Sequence, residues 1–358
     1  MTTDDDFTDA TGQKQAQIQA NLRERIISGA INVRELMPRR VDLEREFAVS
    51  RVTIQRVFNQ LAEDGFVHAH GRSGTRVADH PPHLSRFALV FPTTDLVSNR
   101  FWATLDQVAR RISCPERTIV SFFDVNASQR AAQHRLEADL HARRLAGVIW
   151  ANNPGAALVH SPLVQAYPVP AVAIMPISMA RLPGVTVDNR AFMERAVDHL
   201  LALGRRRIAV LTVPGHEGAY AAELIAQRGG GFRPIWMQEI QPDQGSLARS
   251  LIHLMFNRDQ LQRPDALIIA DDNLVEDATG GLIAAGVRIP DELAIVAHCN
   301  FPWPTVSVVP TRRLGFDARA LLERCFSILR EGRKDMAPSA PVFIPPVFEN
   351  ELAVDVRA

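Results

Sequence analysis

The amino-acid sequence predicts an α/β protein in which a winged helix-turn-helix precedes a two-lobed body with two parallel sheets. Three observations support this fold class. Residues 37–77 contain two short helical patterns followed by a hairpin pattern. Residues 79–83 then break the pattern with prolines and histidines, and from residue 87 onward apolar runs alternate with amphipathic stretches. Such alternation is typical of parallel strands covered by helices.

The two helical patterns are separated by a turn and a helix cap. Leu43, Phe47 and Val49 give the first short helix one apolar face. Ser50 follows, and its side-chain oxygen can accept a hydrogen bond from the free N–H groups of a second helix that begins at Arg51. The order of helix, turn and capped helix predicts a helix-turn-helix.

The second helix has an apolar face and a polar, partly cationic face. The residues at three- and four-residue spacing that are predicted to face inward are Ile54, Val57, Phe58 and Leu61. The residues predicted to face outward are Arg51, Thr53, Gln55, Arg56 and Asn59. In an isolated helix this outward face would simply be solvated. Here a capped turn precedes it and a hairpin follows it, which favours a recognition surface.

The hairpin pattern begins where Gly65 ends the second helix. Phe66 and Val67 start a strand, and the glycine-rich stretch 70–74 turns the chain back into a second strand at residues 75–77. Arg72 lies near the tip of this wing. Because a helix fits the major groove and an arginine-bearing hairpin suits phosphates or the minor groove, the segment predicts a DNA-binding domain.

The charge distribution agrees with DNA binding by this segment. The chain has 40 basic and 40 acidic residues, so its formal net charge is zero. Residues 13–77 contain eleven basic and seven acidic residues, which places positive charge where phosphates would lie. Arg39 and Arg40 precede the first short helix and are candidates for phosphate contact.

Residues 13–78 resemble the GntR family of bacterial regulators. The motifs that carry the resemblance are the leading helix with Leu22, Ile26, Ile27 and Gly29, then Met37-Pro38, Val49-Ser50-Arg51 with Thr53, Leu61, Asp64-Gly65-Phe66 and the stretch 71–77. The resemblance implies double-stranded DNA as a partner, with Arg51 as the leading contact. The full set of predicted DNA-contacting residues is Arg39, Arg40, Ser50, Arg51, Thr53, Gln55, Arg56, His70, Gly71 and Arg72.

The chain departs from this family at two places. Arg39-Arg40-Val41 stands where the family usually has Ser-Glu-Arg after the proline. Gln55 stands where many members have a second arginine on the recognition helix.

Composition argues against several kinds of cofactor site. Cys114, Cys299 and Cys325 show no paired spacing, and nothing resembles a zinc ligand set. Lys14 and Lys334 are the only lysines, and neither is placed as the Schiff-base lysine of an aminotransferase-like body. The sequence has no glycine-rich phosphate loop that ends in lysine and no nucleophile, base and orienter set. We therefore expect no cofactor, no metal and no enzyme activity.

The sequence also predicts a cytoplasmic protein without a membrane partner. No apolar segment reaches the roughly 18 residues that span a bilayer. The acidic N-terminal stretch 1–12 lacks the apolar run of a signal peptide and is predicted to be a disordered tail.

The predicted domain boundaries follow these patterns. Residues 13–78 form the winged helix-turn-helix, and residues 79–86 form a short stiff linker that holds the wing apart from the body. Residues 87–352 form an effector-binding and dimerisation domain. Its first lobe is predicted at about 87–185 and 302–332, and its second at about 186–300 and 340–352.

Residues 86–348 resemble the LacI/GalR family of sugar-responsive repressors, whose effector domain has the periplasmic-binding-protein fold. The best segments are 185–211 and 263–298, together with the Pro290-Asp291-Glu292 turn. The resemblance implies a small-molecule effector, a sugar or a derivative, bound between the lobes at the carboxyl ends of strands. The predicted effector-binding residues are Asn99, Phe101, Trp102, Asn152, Asp188, Asp272 and Cys299.

Some of these residues have a second interpretation. Phe101 and Trp102 at the start of a helix either stack on a ligand or fill the core. Asp188 and Asp272 are either ligand contacts or helix N-caps. The stretch 297–300, Ala-His-Cys-Asn, stands where the family usually has Gly-Tyr/Phe-Asp-Asp, and the ligand arginine of the region 211–231 is missing. Arg228 is either its substitute or a solvated residue at a helix end.

Together these patterns predict a ligand-responsive transcriptional regulator, a repressor of carbohydrate-related genes that binds a near-palindromic operator as a homodimer. The alternative is a DNA-binding regulator whose LacI-like domain only dimerises and no longer binds a small molecule. The missing aspartate and arginine favour the alternative. The residues that favour a working pocket are Asn99, Phe101, Trp102 and Asp272.

Overall fold

The computed structural model describes residues 4–92, 94, 99–124, 130–152, 169–175, 182–215, 218–303, 305–331 and 340–352. The predicted fold class, a winged helix-turn-helix before an α/β body with two parallel sheets, is confirmed. None of the helices in the described part of the chain is long and apolar enough to cross a bilayer.

The head contains three helices and a two-stranded hairpin: α1 (Asp4–Ile27), α2 (Arg40–Phe47), α3 (Arg51–Glu63), β1 (Val67–Ala69) and β2 (Thr75–Val77). A single-turn helix, α4 (Pro82–Ser85), leads into the body. The described helices and strands of the body are, in chain order, β3 (Arg86–Val90), α5 (Arg100–Ile112), β4 (Thr118–Phe122), α6 (Arg130–His141), β5 (Gly147–Trp150), β6 (Ala171–Ile174), β7 (Gly184–Val187), α7 (Asn189–Ala202), β8 (Ile208–Thr212), α8 (Gly218–Gln227), β9 (Met237–Glu239), α9 (Gly245–Phe256), β10 (Ala266–Ile269), α10 (Val275–Ala284), β11 (Ala294–Phe301), β12 (Arg312–Asp317), α11 (Ala318–Glu331), β13 (Val342–Ile344) and β14 (Val347–Phe348).

The head has its own apolar core. Ile18, Leu22 and Ile26 recur every four residues on α1, so they form one buried stripe that packs against α3. The predicted inward residues of α3 are buried as expected, and β1 and β2 pair in an antiparallel register with Val67 opposite Val77. The head therefore buries a continuous core of its own.

Helix α1 begins earlier than the sequence patterns suggested. The stretch 1–12 was expected to be a disordered tail, yet the helix starts at Asp4. The prediction of a tail up to residue 12 is therefore wrong for the described residues.

The chain divides into two compact units. The first contains the head, β3, β4, α6 and β5, and the second contains α5, Ala151, Asn152 and the chain from Val172 onward. In the first unit, β3 pairs in parallel with both β4 and β5, so Leu89 lies opposite Ser121 on one side and Ile149 on the other. Residues 86–90 are nearly all buried, as expected for a central parallel strand.

The second unit contains a six-stranded sheet in the order β14, β12, β11, β10, β8, β9, parallel except at the edge strand β14. Its helices bury a core against β8 and β10. Strand β7 pairs in parallel with β6 and with β13 in the same unit.

This pairing corrects the predicted lobe boundaries. Strand β12 lies within 302–332 and was expected in the first lobe, but it pairs along its length with β11. Strand β13 was expected in the second lobe, but it pairs with β7. Sequence resemblance predicted the order of the elements along the chain. It did not predict which sheet β12 and β13 join, because that depends on pairing with strands distant in the sequence.

The linker does not hold the head apart from the body. Within residues 79–86, α4 forms one helical turn, and the ring of His83 stacks on Phe66, which lies between α3 and β1 of the head, with 5.8 Å between ring centroids. The prediction of a separating spacer is wrong, because the first unit contains side-chain contacts that join head and body.

The strongest of these contacts is an ion-pair network around Asp64, the residue that ends α3. Its carboxylate is 4% exposed and accepts hydrogen bonds from Arg23 at 2.6 Å and from Arg144 at 2.7 Å. Arg144 also pairs with Asp139 at 2.6 Å, and Asp139 pairs with Arg86 at 2.9 Å. A chain of alternating charges therefore links the recognition helix to α6 and β3 of the body.

Candidate DNA-binding face and effector cavity

The start of α3 is built by its cap. Ser50 has extended backbone angles, and its hydroxyl accepts a hydrogen bond from the backbone N–H of Thr53 at 3.3 Å. Arg51 is the first residue of the helix and is exposed. The cap therefore fixes the direction in which Arg51 leaves the head.

Thr53 does not face outward as predicted. It is only 9% exposed, and its hydroxyl lies 3.1 Å from the Ser50 hydroxyl. That prediction is wrong, because the second hydroxyl of the cap turns inward to complete the hydrogen bonds at the helix start. In the described structure Thr53 supports the position of Arg51.

The other predicted contacts of the two helices differ in exposure. Arg39 and Arg56 are exposed. Arg40 is half-buried, with its guanidinium carbon 5.2 Å from the ring centroid of Phe58. Gln55 donates a hydrogen bond to Asn59 at 2.7 Å, which orients both amides on the polar face of α3. This face presents guanidinium and amide groups, the groups that read guanine and adenine edges.

The wing tip is shaped by glycines. Gly71 and Gly74 have φ values of 52° and 87°, which other residues rarely adopt. His70 is exposed, and its backbone N–H donates to the carbonyl of Gly74 at 2.8 Å, which closes the turn. The side chain of Arg72 lies outside what the structure describes, so its predicted role at the tip stays a prediction.

The second unit contains a cavity of about 320 Å³ at the carboxyl ends of its parallel strands, a volume at the lower end of the range for small-ligand sites. We call it the effector cavity. Its described lining residues are Asn99, Phe101, Trp102, Asn152, Met175, Val187, Asn189, Val213, Pro214, Gln241, Pro242, Ala270, Asp271, Asp272, Asn273, His298, Asn300 and Phe316. It therefore combines aromatic rings, amides and carboxylates.

Asp272 is the most deeply buried charged group of this lining. Its Oδ2 accepts hydrogen bonds from the Asn300 amide at 2.7 Å and from the Thr305 hydroxyl at 3.4 Å. Burial raises the pKa of the Asp272 carboxyl above its ordinary value, while nearby His298 opposes that shift. Asp272 does not cap a helix, because Asp271 accepts the hydrogen bond from the Asn273 N–H that begins the following helical turn.

His298 lies beside this carboxylate. Its Nδ1 is 4.0 Å from the Asp272 Oδ1, beyond hydrogen-bond distance, and is buried without a partner among the described residues. Its ring packs against Phe192 and Phe316, at centroid distances of 5.4 and 5.6 Å. The aromatic neighbours fix the imidazole at the cavity wall.

The residues at the start of α5 line the cavity from another side. Asn99 accepts a hydrogen bond from the backbone N–H of Trp102 at 3.0 Å, so it caps α5. Phe101 and Trp102 are both half-buried and contribute to the lining. Phe101 and Trp102 were predicted either to stack on a ligand or to fill the core. Their partial exposure does not fit a role in the core alone.

The structure brings Asn99, Phe101, Trp102, Asn152 and Asp272 to one cavity. The other two predicted effector residues do not line it. Asp188 accepts a hydrogen bond from the N–H of Ala191 at 2.9 Å and caps α7, and Cys299 is completely buried.

Sequence reasoning missed most of the amides of the cavity. Asn189, Gln241, Asn273 and Asn300 all line it, and His298 was not among the predicted effector residues. Each of these residues lies in or just after a parallel strand, with Asn189 directly after β7 and Gln241 after β9. Their position at the carboxyl ends of such segments is the signal that could have identified them.

Two family models match the chain. Residues 14–77 match the gntR family of bacterial regulatory proteins, and residues 197–349 match the periplasmic binding protein-like domain. The chain carries a GntR-type head on a periplasmic-binding-protein-like body. The gntR family model describes bacterial regulatory proteins, and the relatives that the chain matches are transcriptional regulators rather than enzymes.

One relative matches nearly the whole chain, and another matches less than half of it. The arabinose metabolism transcriptional repressor of Halalkalibacterium halodurans is 22% identical over 363 residues, which cover 94% of each chain. The HTH-type transcriptional regulator GntR of Pseudomonas aeruginosa is 26% identical over 176 residues, which cover 44% of this chain and 49% of the relative.

Solved structures support the fold of the body. A regulatory protein of the LacI family from Chloroflexus aggregans is 16% identical and has a TM-score of 0.57, with 74% of this chain and 96% of that chain covered. A LacI family transcriptional regulator from Lactobacillus casei with bound glucose is 17% identical and has a TM-score of 0.55, with 74% and 98% covered. These likenesses show that the body shares the fold of these regulators.

Proposed function

We propose that the chain is a ligand-responsive repressor of carbohydrate-related genes that acts in the cytoplasm. It binds operator DNA through the head, and a small molecule in the effector cavity, a sugar or a derivative, changes its affinity for that DNA. The observation that carries this proposal is the presence in one chain of an exposed, arginine-bearing recognition helix and a ligand-sized polar cavity. The effector and the DNA must then prefer different arrangements of the protein, with a coupling of about 1 to 3 kcal/mol.

DNA binding is supported by the match of the head to a family of DNA-binding regulators and by the geometry of α3. The cap at Ser50 and Thr53 directs Arg51 outward, while Arg39 and Arg56 are exposed nearby in the sequence. Arg51 is suited to contact a base edge, and Arg39 and Arg56 are suited to contact phosphates.

Replacing Arg51 with alanine should weaken operator binding by about 1 to 3 kcal/mol, because one bidentate contact to guanine contributes about that much discrimination. Folding should not change, since Arg51 is exposed. The measurement is a gel-shift titration on an operator selected from random-sequence DNA. Arg288→Ala, which removes an arginine paired with Glu292 in the body, is the matched control and should bind normally. Unaltered affinity of the Arg51 variant would remove this residue from the interface.

A sugar or sugar derivative as effector is supported by the chemistry of the cavity. Hydroxyl groups hydrogen-bond to carboxylates and amides, and the apolar face of a sugar ring packs on an aromatic ring. Asp272, Asn300 and Trp102 supply these groups. Two of the solved neighbours of the body are LacI family regulators from Lactobacillus casei with bound glucose or sucrose.

Replacing Asp272 with asparagine should abolish most of the effector's influence on operator affinity, because the ligand loses a charged hydrogen-bond acceptor. Binding to the operator without effector should stay near normal, since Asp272 lies outside the head. A thermal-shift screen of the full chain first identifies an effector, and operator affinity is then measured with and without it. Asp259→Asn, at an exposed site after α9, is the control. Wild-type coupling in the Asp272 variant would place the effector elsewhere.

Homodimer formation on a near-palindromic operator is also part of this proposal. One head presents a single recognition helix, and a dimer with two-fold symmetry binds two half-sites that are related by the same symmetry. A patch on the second unit supports it. Ile235, Leu247 and Leu254 are 59%, 44% and 58% exposed, with Leu251 between the last two on α9. Exposed apolar side chains grouped in this way are typical of association surfaces.

The second candidate function is a regulator whose body only dimerises. The replacement of the family's usual late-strand motif by the stretch 297–300 favours it. The polar cavity opposes it, because a pocket without a ligand gains nothing from burying Asp272 next to His298. Binding of any sugar to the full chain, measured calorimetrically, decides between the two.

A further inference from the structure

The described lining of the effector cavity contains two carboxylates and, as its basic side chain, the imidazole of His298. Asp271 and Asp272 are the carboxylates of its described lining, and no lysine or arginine lines the described part of it. Arg100, at the start of α5, directs its guanidinium to the exposed Glu276 at 3.2 Å. Burial raises the pKa of the Asp272 carboxyl, whereas the charges of His298, at 4.0 Å, and of Arg100 lower it.

The hydrogen bonds of the two carboxylates come from uncharged groups. Asp272 accepts from the Asn300 amide and the Thr305 hydroxyl, and Asp271 accepts from the backbone and side-chain nitrogens of Asn273, both at 2.9 Å. Uncharged donors orient a carboxylate without cancelling its charge. A ligand in the cavity therefore meets negative potential in a partly desolvated setting, where charges interact more strongly than in water.

We propose that the effector cavity takes an uncharged polyhydroxylated ligand, of the aldose or polyol class, and excludes phosphorylated and carboxylated sugars. This inference rests on the proposed function of the cavity as the effector site. A hydroxyl donates a hydrogen bond to either carboxylate and accepts one from a lining amide, so a neutral sugar satisfies the polar groups of the wall. A phosphate or carboxylate brings a further negative charge to Asp271 and Asp272, and no lysine or arginine among the described lining residues pairs with it.

The test uses the full chain and three matched pairs of ligands, measured by isothermal titration calorimetry. The pairs are D-glucose with D-glucose 6-phosphate, sucrose with sucrose 6-phosphate, and L-arabinose with L-arabinonate. At least one neutral sugar should bind, and its charged counterpart should bind at least about tenfold more weakly, since juxtaposed like charges disfavour a complex. Tighter or equal binding of a charged member overturns the proposal. So does the absence of binding by all three neutral sugars.

A variant tests whether the carboxylates cause the discrimination. In the double variant Asp271→Asn and Asp272→Asn, the ratio of neutral to charged affinity should fall at least about fivefold, because the repelling charges are gone and the shape is kept. The control Asp259→Asn should keep the wild-type ratio. A double variant that folds, as judged by circular dichroism, and also keeps the wild-type ratio overturns the proposal.

Operator affinity separates this inference from the proposed function. A neutral sugar that binds selectively but leaves operator affinity unchanged contradicts the regulatory role and supports the ligand class. A charged sugar that binds preferentially and changes operator affinity supports the regulatory role and overturns the ligand class.

Discussion

Replacing Gly315 with alanine should prevent the body from folding stably, with a loss of at least about 4 kcal/mol. Gly315 lies in β12 directly opposite Cys299 of β11. A β-carbon at this position would lie 1.7 Å from the Cys299 carbonyl oxygen and 2.8 Å from its backbone nitrogen. Both obstacles are backbone atoms of a buried paired strand, so no side chain can move aside to make room.

Thermal unfolding of the full chain, followed by circular dichroism, measures this effect. The matched control is Gly280→Ala on α10, where the new methyl group would meet only the Arg249 side chain at 3.8 Å. That substitution should be neutral or stabilise by up to about 1 kcal/mol, because alanine is the better helix former. A Gly315→Ala protein that melts with the wild type would show that β11 and β12 are farther apart than described.

Replacing Asp64 with alanine should destabilise the head and its attachment to the body by about 3 to 5 kcal/mol, the range for breaking a buried ion pair from one side. The substitution leaves the guanidinium groups of Arg23 and Arg144, which are 11% and 24% exposed, without their shared carboxylate. The side-chain amides of Gln19 and Gln60 lose an acceptor as well. Burial already lowers the pKa of Arg23, which shows the cost of keeping this cation out of water.

Asp79→Ala supplies the comparison, because Asp79 pairs with Arg34 at 2.9 Å while both side chains are more than half exposed. A surface pair of this kind contributes about 0 to 1 kcal/mol. Denaturant unfolding of both variants, with a double-mutant cycle between Asp64 and Arg144, gives the coupling within the buried pair. If Asp64→Ala costs no more than Asp79→Ala, the network does not stabilise the chain.

Local signals were enough to predict the head. The cap at Ser50, the helix start at Arg51 and the turn at Gly65 depend on neighbours within a few residues, and the structure has each of them in place. Thr53 was misplaced for a local reason too. Helical periodicity puts it on the outward face, but its hydroxyl bonds to the cap and is drawn inward.

The sequence could not predict contacts between distant segments. Asp64 and Arg144 are 80 positions apart, and nothing in either neighbourhood identifies the other as a partner. The sheet that β12 joins, and therefore the lobe to which it belongs, is likewise decided by pairing rather than by its own residues. Sequence resemblance identified several cavity residues that lie beside strand ends. It did not identify His298 and Asn300, because they lie in a strand whose sequence departs from the family motif.

The bond between Asp64 and Arg144 limits how far this protein can be treated as interchangeable modules. A foreign DNA-binding domain grafted at the linker would bring no carboxylate to Arg144, and that arginine would still hold Asp139. The transplanted head would then be connected to the body only through the linker. It would reorient, and bind DNA, independently of the body. Engineers who exchange recognition domains among such regulators should therefore carry over residues 64 and 144 as a pair.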